Sequence, residues 1–372
     1  MNMIYLDHAA TGGYKTAAVQ NAVLAAMKTC ANPGRSGHRL SLAAAERVLA
    51  CRSLLSELFE AYGYERIVFT KNCTEALNLA ILGTLERGDH VVTTCLEHNS
   101  VLRPLEALKR AGIIEYSVAP LENGKILPET VAALVKNNTR MCCVTSASNV
   151  TGFAPDLSAI RKRLPEHVLF VVDGAQGAGH LPLPMKTLGI DALALAGHKG
   201  LGAVQGAGAL LFSERFDPKP VLYGGTGSES SNLNMPDFYP DALESGTLNY
   251  PAVCSLYEGA LFVKARRQQG AQVLLKLTGA VATALAAMPD FKAYFQPNEC
   301  GITAFSCHKM PSEELAQTLS DKFGIAVRGG LHCAPLIHKA LGTHPEGLVR
   351  ASFSPFQSMR EVNALISALR HI

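Results

Sequence analysis

An α/β fold, with a mostly parallel sheet flanked by helices and a smaller α+β domain, is what this sequence predicts. Three observations carry that expectation. Across the first two thirds of the chain, short apolar runs alternate with helix-like segments, an order that calls for parallel strands joined by crossover helices. The runs are apolar nearly throughout, as strands buried on both faces must be. After about Tyr250 the pattern changes to a long Ala/Leu-rich stretch, Ala252 to Met288, followed by shorter elements.

The elements follow in order. Leu42, Ala45, Leu49, Leu55 and Phe59 approximate a helical stripe over Ser41 to Ala61. Arg66 to Thr70 (RIVFT) reads as a strand, and Cys73 to Glu86 as a helix stopped by Gly88. His90 to Thr94 (HVVTT) is the next strand, with a helix after Asn99. Further strands are expected over Ile113 to Val118, Met141 to Thr145, Val168 to Asp173, Ala192 to Ala196 and Gly208 to Phe212. Gly224 to Pro240 is the most turn-prone segment and reads as an exposed excursion. Beyond the long helical region, apolar alternation marks strands near Thr303 to Ser306 and Val349 to Phe353. The turn-rich stretch Gly246 to Pro251 suggests a boundary. It gives a large α/β domain over 16–250 and a small α+β domain over 251–372, to which the N-terminal segment 1–15 is expected to add.

The chain has 372 residues, 48% hydrophobic and 17% charged, which suits a globular protein with ample core. A formal net charge of +3 gives no reason to expect nucleic-acid binding. The basic run Arg161-Lys162-Arg163 reads as a solvated helix face. No run of 18 apolar residues suggests a membrane span, and the opening residues do not resemble a signal peptide. The ten cysteines form no CxxC pair and no metal-ligand spacing. Reduced thiols in a cytoplasmic compartment are therefore expected, most of them small buried core residues.

Ligands of open α/β sheets bind at the carboxyl ends of strands. The run VLFVVD ends there in Asp173, and ALALA is followed by Gly197-His198-Lys199. Alone, Asp173 reads as a strand-end cap, and Lys199 as a loop lysine. Together they suit pyridoxal 5'-phosphate, which needs a lysine for its aldehyde and an acid for its ring nitrogen. The cofactor also needs a phosphate cradle, and Asn72-Cys73-Thr74 open a helix directly after a strand. Thr74 taken alone is a plain helix cap. His98, just past another strand end, is placed to stack on a ring, although a lone histidine there is more often structural.

These segments resemble class V, fold-type I pyridoxal-phosphate enzymes of the cysteine desulfurase and selenocysteine lyase group. The resemblance begins at Tyr5-Leu6-Asp7-His8-Ala9-Ala10-Thr11, similar to the family's "YLDNAATT". It continues through NPGRSGHRLS (Asn32 to Ser41), TKNCTEALN, LEHNS, SNVTG (Ser148 to Gly152), VDGAQ and GHK. It ends with RGGLHCAP (Arg328 to Pro335) and VRASFSPFQS (Val349 to Ser358). The resemblance implies that Lys199 carries the cofactor and moves protons. It implies that Asp173 pairs with the ring nitrogen, Gln176 with the phenolic oxygen and His98 with the ring face. Cys73, Thr74 and His198 belong to the cofactor site, with Asn149 near the substrate amine. Arg350 is the expected receptor for the substrate carboxylate, a task suited to a planar guanidinium. Thr226 would complete the phosphate site of a partner chain in a homodimer.

Cys333, in Arg-Gly-Gly-Leu-His-Cys-Ala, is similar to the "RxGxHCA" motif of group II desulfurases. There the thiol takes sulfur from cysteine and leaves alanine. The chemistry asks for an exposed thiolate, and His332 and Arg328 are candidates to lower its pKa. The plainer reading is a buried structural cysteine. The sequence departs from the family pattern at His8, at Ala196 and at Ala203-Val204. Ala196 removes an expected phosphate-binding hydroxyl. The expected activity is cysteine desulfuration, with a sulfur-acceptor protein as a possible partner. L-selenocysteine is the close alternative substrate. Class V aminotransfer, cysteine β-elimination and a non-catalytic sulfur-relay scaffold are the other readings.

Overall fold

The apolar runs become the buried strands of a central sheet in the computed structural model, which describes residues 3–29 and 32–372. The chain opens with β1 (Ile4–Tyr5), followed in order by α1 (Ala17–Thr29), α2 (Arg39–Leu58), β2 (Ile67–Thr70), α3 (Cys73–Leu82), β3 (His90–Thr94), α4 (Asn99–Arg110) and β4 (Glu115–Ala119). Next come α5 (Pro128–Ala133), β5 (Thr139–Thr145), α6 (Leu157–Arg163), β6 (Leu169–Asp173), α7 (Met185–Leu188), β7 (Ala192–Ala196) and β8 (Gly208–Phe212). The rest of the chain forms α8 (Tyr250–Ala286), β9 (Phe291–Ala293), β10 (Ile302–Cys307), α9 (Ser312–Phe323), β11 (Ile325–Ala326), α10 (Pro335–Leu341), β12 (Val349–Ser352) and α11 (Met359–Leu369).

Seven strands form the main sheet in the order β2-β8-β7-β6-β5-β3-β4. The run from β7 to β4 is parallel, and only β8 is antiparallel to its neighbours β7 and β2. The strands β3, β6, β7 and β8 are buried along their whole length, which explains their unbroken apolar character. Two separate apolar clusters cover the sheet, one on each face. The second lobe has an antiparallel sheet, β12-β10-β9, with its own cluster around Leu274, Phe305, Leu319 and Leu365. The N-terminal strand β1 pairs with β11, more than 300 residues away in sequence, a contact that sequence pattern does not reveal.

Helix ends differ from expectation for tertiary reasons. The helix expected to run to Glu86 stops at Leu82, where the Lys219 N–H takes the Gly83 carbonyl. The one expected to reach Ala61 stops at Leu58, because the Phe59 and Glu60 carbonyls accept from Met185 and Lys186. The 37-residue α8 is about 55 Å long. Its first half packs Ala252, Leu256, Ala260 and Val263 into the larger core. Its second half packs Leu274, Leu277, Val281 and Leu285 into the smaller one. The excursion over 224–240 contains no helix or strand. Among the described residues, no helix is long and apolar enough to cross a membrane.

Candidate active site

The strands β2, β3, β5, β6 and β7 run in one direction, so their carboxyl ends share one rim. A small cavity there is lined by Cys73, Thr74, His98, Asn149, Asp173, Gln176, His198 and Lys199. Eight expected side chains, from distant stretches of chain, therefore converge. Asp173 ends β6 and is buried. Its Oδ1 accepts from the Ala175 N–H at 2.8 Å and from the Cys73 thiol at 3.4 Å. Burial and the Asp173 charge push the Cys73 thiol well up, so it stays protonated as a donor. Lys199 follows β7 through a sharp turn. Burial lowers its proton affinity, partly offset by Asp173, with Arg350 and Arg328 lowering it further.

His98 caps α4, and its Nδ1 accepts from the Ser100 N–H at 3.0 Å. Burial lowers its pKa to about 4, leaving a neutral ring. The Ser100 hydroxyl lies 2.8 Å from that Nδ1 and 2.7 Å from the Thr74 hydroxyl. Asn72 caps α3 by accepting from the Glu75 N–H, so Thr74 is not the cap and its hydroxyl faces Ser100 instead. His198 lies 3.2 Å from Thr11 Oγ1, and burial lowers its pKa to about 4. Gln176 donates to the Ala9 carbonyl at 3.0 Å.

The cavity fits pyridoxal phosphate on the residues' own chemistry. It offers a desolvated amine, a buried carboxylate, a neutral imidazole and the N-terminus of a ten-residue helix beside two hydroxyls. Asn149 adds a buried Oδ1 with no partner, while its Nδ2 donates to the His332 carbonyl at 2.7 Å.

Cys333 does not line this cavity, but its loop is fastened to it. Besides the Asn149 bond, the Asn99 N–H donates to the Cys333 carbonyl at 2.8 Å. Among the described cysteines, none is disulfide-bonded and Cys333 alone is exposed; Cys30 lies outside the described residues. Arg328 Nη2 donates to Cys333 Sγ at 3.8 Å, as expected of a nearby cation. His332 does not fill the same role. It is buried, donates Nε2–H to the Leu348 carbonyl and has its pKa lowered to about 2, first by burial and then by Arg350 and Arg328. A neutral ring turned away into the protein cannot act as a cation beside the thiol.

Arg350 is fully buried, with Nη1 on the Asn149 carbonyl at 3.0 Å and Nη2 on Asp7 Oδ1 at 2.7 Å. Thr226 lies apart from the cavity. It lines a separate groove with Arg35, whose guanidinium donates to the Gly225 and Gly246 carbonyls.

The sequence profile of the family described as "Aminotransferase class-V" matches residues 4–365. The chain belongs to that family. Among class-V relatives, a probable cysteine desulfurase of Methanothermobacter thermautotrophicus is 30% identical, over 99% of this chain and 94% of its own length. The cysteine desulfurase CsdA of Escherichia coli is 30% identical, over 98% and 93%. The apo structure of a cysteine desulfurase from Thermococcus onnurineus NA1 superposes with a TM-score of 0.90 at 29% identity, covering 99% of this chain and 94% of that one.

Three residues of this class-V site escaped sequence reasoning. Ser100 links Thr74 to His98. Asp7 pairs with Arg350. Glu97 is wholly buried beside the rim, its Oε1 accepting from the Thr94 hydroxyl at 2.6 Å and the Thr145 N–H at 3.0 Å. Burial raises its pKa to about 8, so it is a neutral acid at pH 7. The signal for Glu97 and Ser100 was available in LEHNS, where a carboxylate lies three residues past the end of a buried strand.

Proposed function

We propose that this chain is a pyridoxal-phosphate-dependent cysteine desulfurase. The net reaction transfers the sulfur of L-cysteine to the Cys333 thiol, giving a Cys333 persulfide and L-alanine. Atoms and electrons balance: the thiol–sulfur bond forms as the substrate's carbon–sulfur bond breaks, and the substrate carbon gains a proton. The observation that carries this reading is an exposed cysteine on a loop pinned to His98's helix and to Asn149, beside a cavity holding Lys199 and Asp173. The relatives' printed descriptions as cysteine desulfurases support it.

When bound, pyridoxal phosphate supplies an electron sink next to the substrate's α-carbon. Asp173 would hold its ring nitrogen, Gln176 its phenolic oxygen and His98 its ring face. The start of α3, with Cys73, Thr74 and His198, would hold the phosphate. Ser100 offers the hydroxyl that Ala196 lacks. Thr226 would reach the phosphate from a second copy in a homodimer. Lys199, whose proton affinity burial lowers, can release and retake a proton at Nζ. Arg350 would receive the substrate carboxylate, and Asn149 Oδ1 would accept from its amine. Arg328 stands beside Cys333 Sγ, to which its Nη2 donates. The persulfide would then pass to an acceptor protein in a reducing, cytoplasmic compartment.

Two readouts test the proposal together. Borohydride treatment of the holoprotein should fix the cofactor on the Lys199 peptide; a label on another lysine overturns that assignment. Incubation with L-cysteine should yield alanine. Pyruvate in its place would indicate β-elimination.

A further inference from the structure

We propose that Asp7 is a resident counter-ion for Arg350 which the substrate carboxylate must replace, so that Asp7 sets how tightly carboxylate ligands bind. This rests on the reading of Arg350 as the carboxylate receptor. Arg350 is only 1% exposed, and neither cavity next to Lys199 has it in its lining. Its Nη1 and Nη2 are bonded to Asn149 and Asp7, while the buried Nε has no partner. The Asp7 side chain is 21% exposed and is the solvent-facing half of the pair. Its chain neighbours His8 and Ala9 line the larger cavity beside Lys199. The segment is held from several sides: Tyr5 Oη donates to the Asp7 carbonyl, and the Ala9 N–H to Ser352 Oγ. Asp7 therefore occupies the guanidinium from an anchored segment, bridged to Ser352, and not from a loose tail.

The sign of the effect follows from the charges. Arg328 is a second cation acting on Arg350, and Asp7 is the carboxylate that compensates the Arg350 charge. An incoming carboxylate must either share the guanidinium with Asp7, against like-charge repulsion, or displace it. Without the Asp7 charge, the free protein holds a buried cation with no anion, and only the ligand supplies one. Neutralising Asp7 thus raises the energy of the free state more than that of the bound state, and binding tightens. If Asp7 merely positioned Arg350, its loss would weaken binding.

The probes are 3-mercaptopropionate, which has the carboxylate and thiol of cysteine but no amine for the cofactor, and its neutral amide. Calorimetry on the wild-type holoprotein should show the acid binding more tightly than the amide. Asp7→Asn should tighten the acid about tenfold or more and leave the amide unchanged. Equal binding of acid and amide by wild type overturns the Arg350 assignment, and this proposal with it. Discrimination in wild type with unchanged or weaker acid binding in Asp7→Asn overturns the proposal alone. Should Asp7→Asn be too unstable for calorimetry, Asp7→Ser is read by melting. A larger upward shift with 3-mercaptopropionate than wild type shows supports the proposal, and an equal or smaller one overturns it.

Discussion

His332 and Cys333 both adopt left-handed backbone, at φ 50° and 57°, a conformation that costs non-glycine residues on the order of 1 kcal/mol each. The bonds from Asn149 and Asn99 to their carbonyls hold the turn and turn the Cys333 side chain to solvent while burying His332. A thiol held this way acts by position. Cys333→Ala should lose about two orders of magnitude in turnover with L-cysteine and still bind it, since Lys199, Asp173 and Arg350 do not depend on the thiol. Cys333→Ser should fail alike, because a hydroxyl is a poor nucleophile at neutral pH. Steady-state alanine production and substrate titration measure both. Glu97 gives a second, independent prediction. Its folded pKa, near 8, lies above the unfolded carboxylate value, so the folded state binds the extra proton. The associated stability is complete below about pH 4.5 and is lost as pH rises through 8. Glu97→Gln, which keeps the neutral shape, should flatten that part of the stability–pH curve in denaturant titrations. An unchanged slope would contradict a neutral Glu97.

The elements that carry these residues were legible where one signal dominated. Strands β3, β7 and β8 were readable to the residue because an apolar run between breakers has no alternative burial. Asp173, the last residue of β6, and Lys199, three residues past the end of β7, were readable because a charge at the end of such a run is unusual. Helix ends were not, since Gly83 and Phe59 are fixed by partners more than 100 residues away. Nor was the pairing of Asp7 with Arg350, which depends on β1 finding β11. The motif RGGLHCA placed a histidine next to a cysteine but could not say which way the ring turns. Gly259 of α8 shows how an element constrains the site. A methyl group there would collide with the Leu201 carbonyl, two residues past Lys199. Gly259→Ala should cost about 1–3 kcal/mol by overpacking and should disturb the Lys199 turn. Denaturant midpoints and the holoprotein's absorption band report the two effects separately.

At the scale of the molecule, α8 joins two cores, and we propose that the division lies between 16–250 and 251–372, with residues 1–15 attached to the second lobe through β1. Leu24 and Met27 on α1 are 55% and 61% exposed, and Leu40, Leu42 and Leu49 of α2 are exposed as well. Such apolar surface, with Thr226 lying away from its own chain's cavity, favours a homodimer in which each copy completes the other's phosphate site. Sedimentation at assay concentration should give a dimer. A fully active monomer would contradict the shared site. The central claim, that sulfur leaves cysteine for Cys333, is tested most directly by peptide mass spectrometry of the wild-type holoprotein after brief exposure to L-cysteine. One added sulfur atom on the Cys333 peptide is the expected result; sulfur found only on another cysteine, or on none while alanine accumulates, would contradict it.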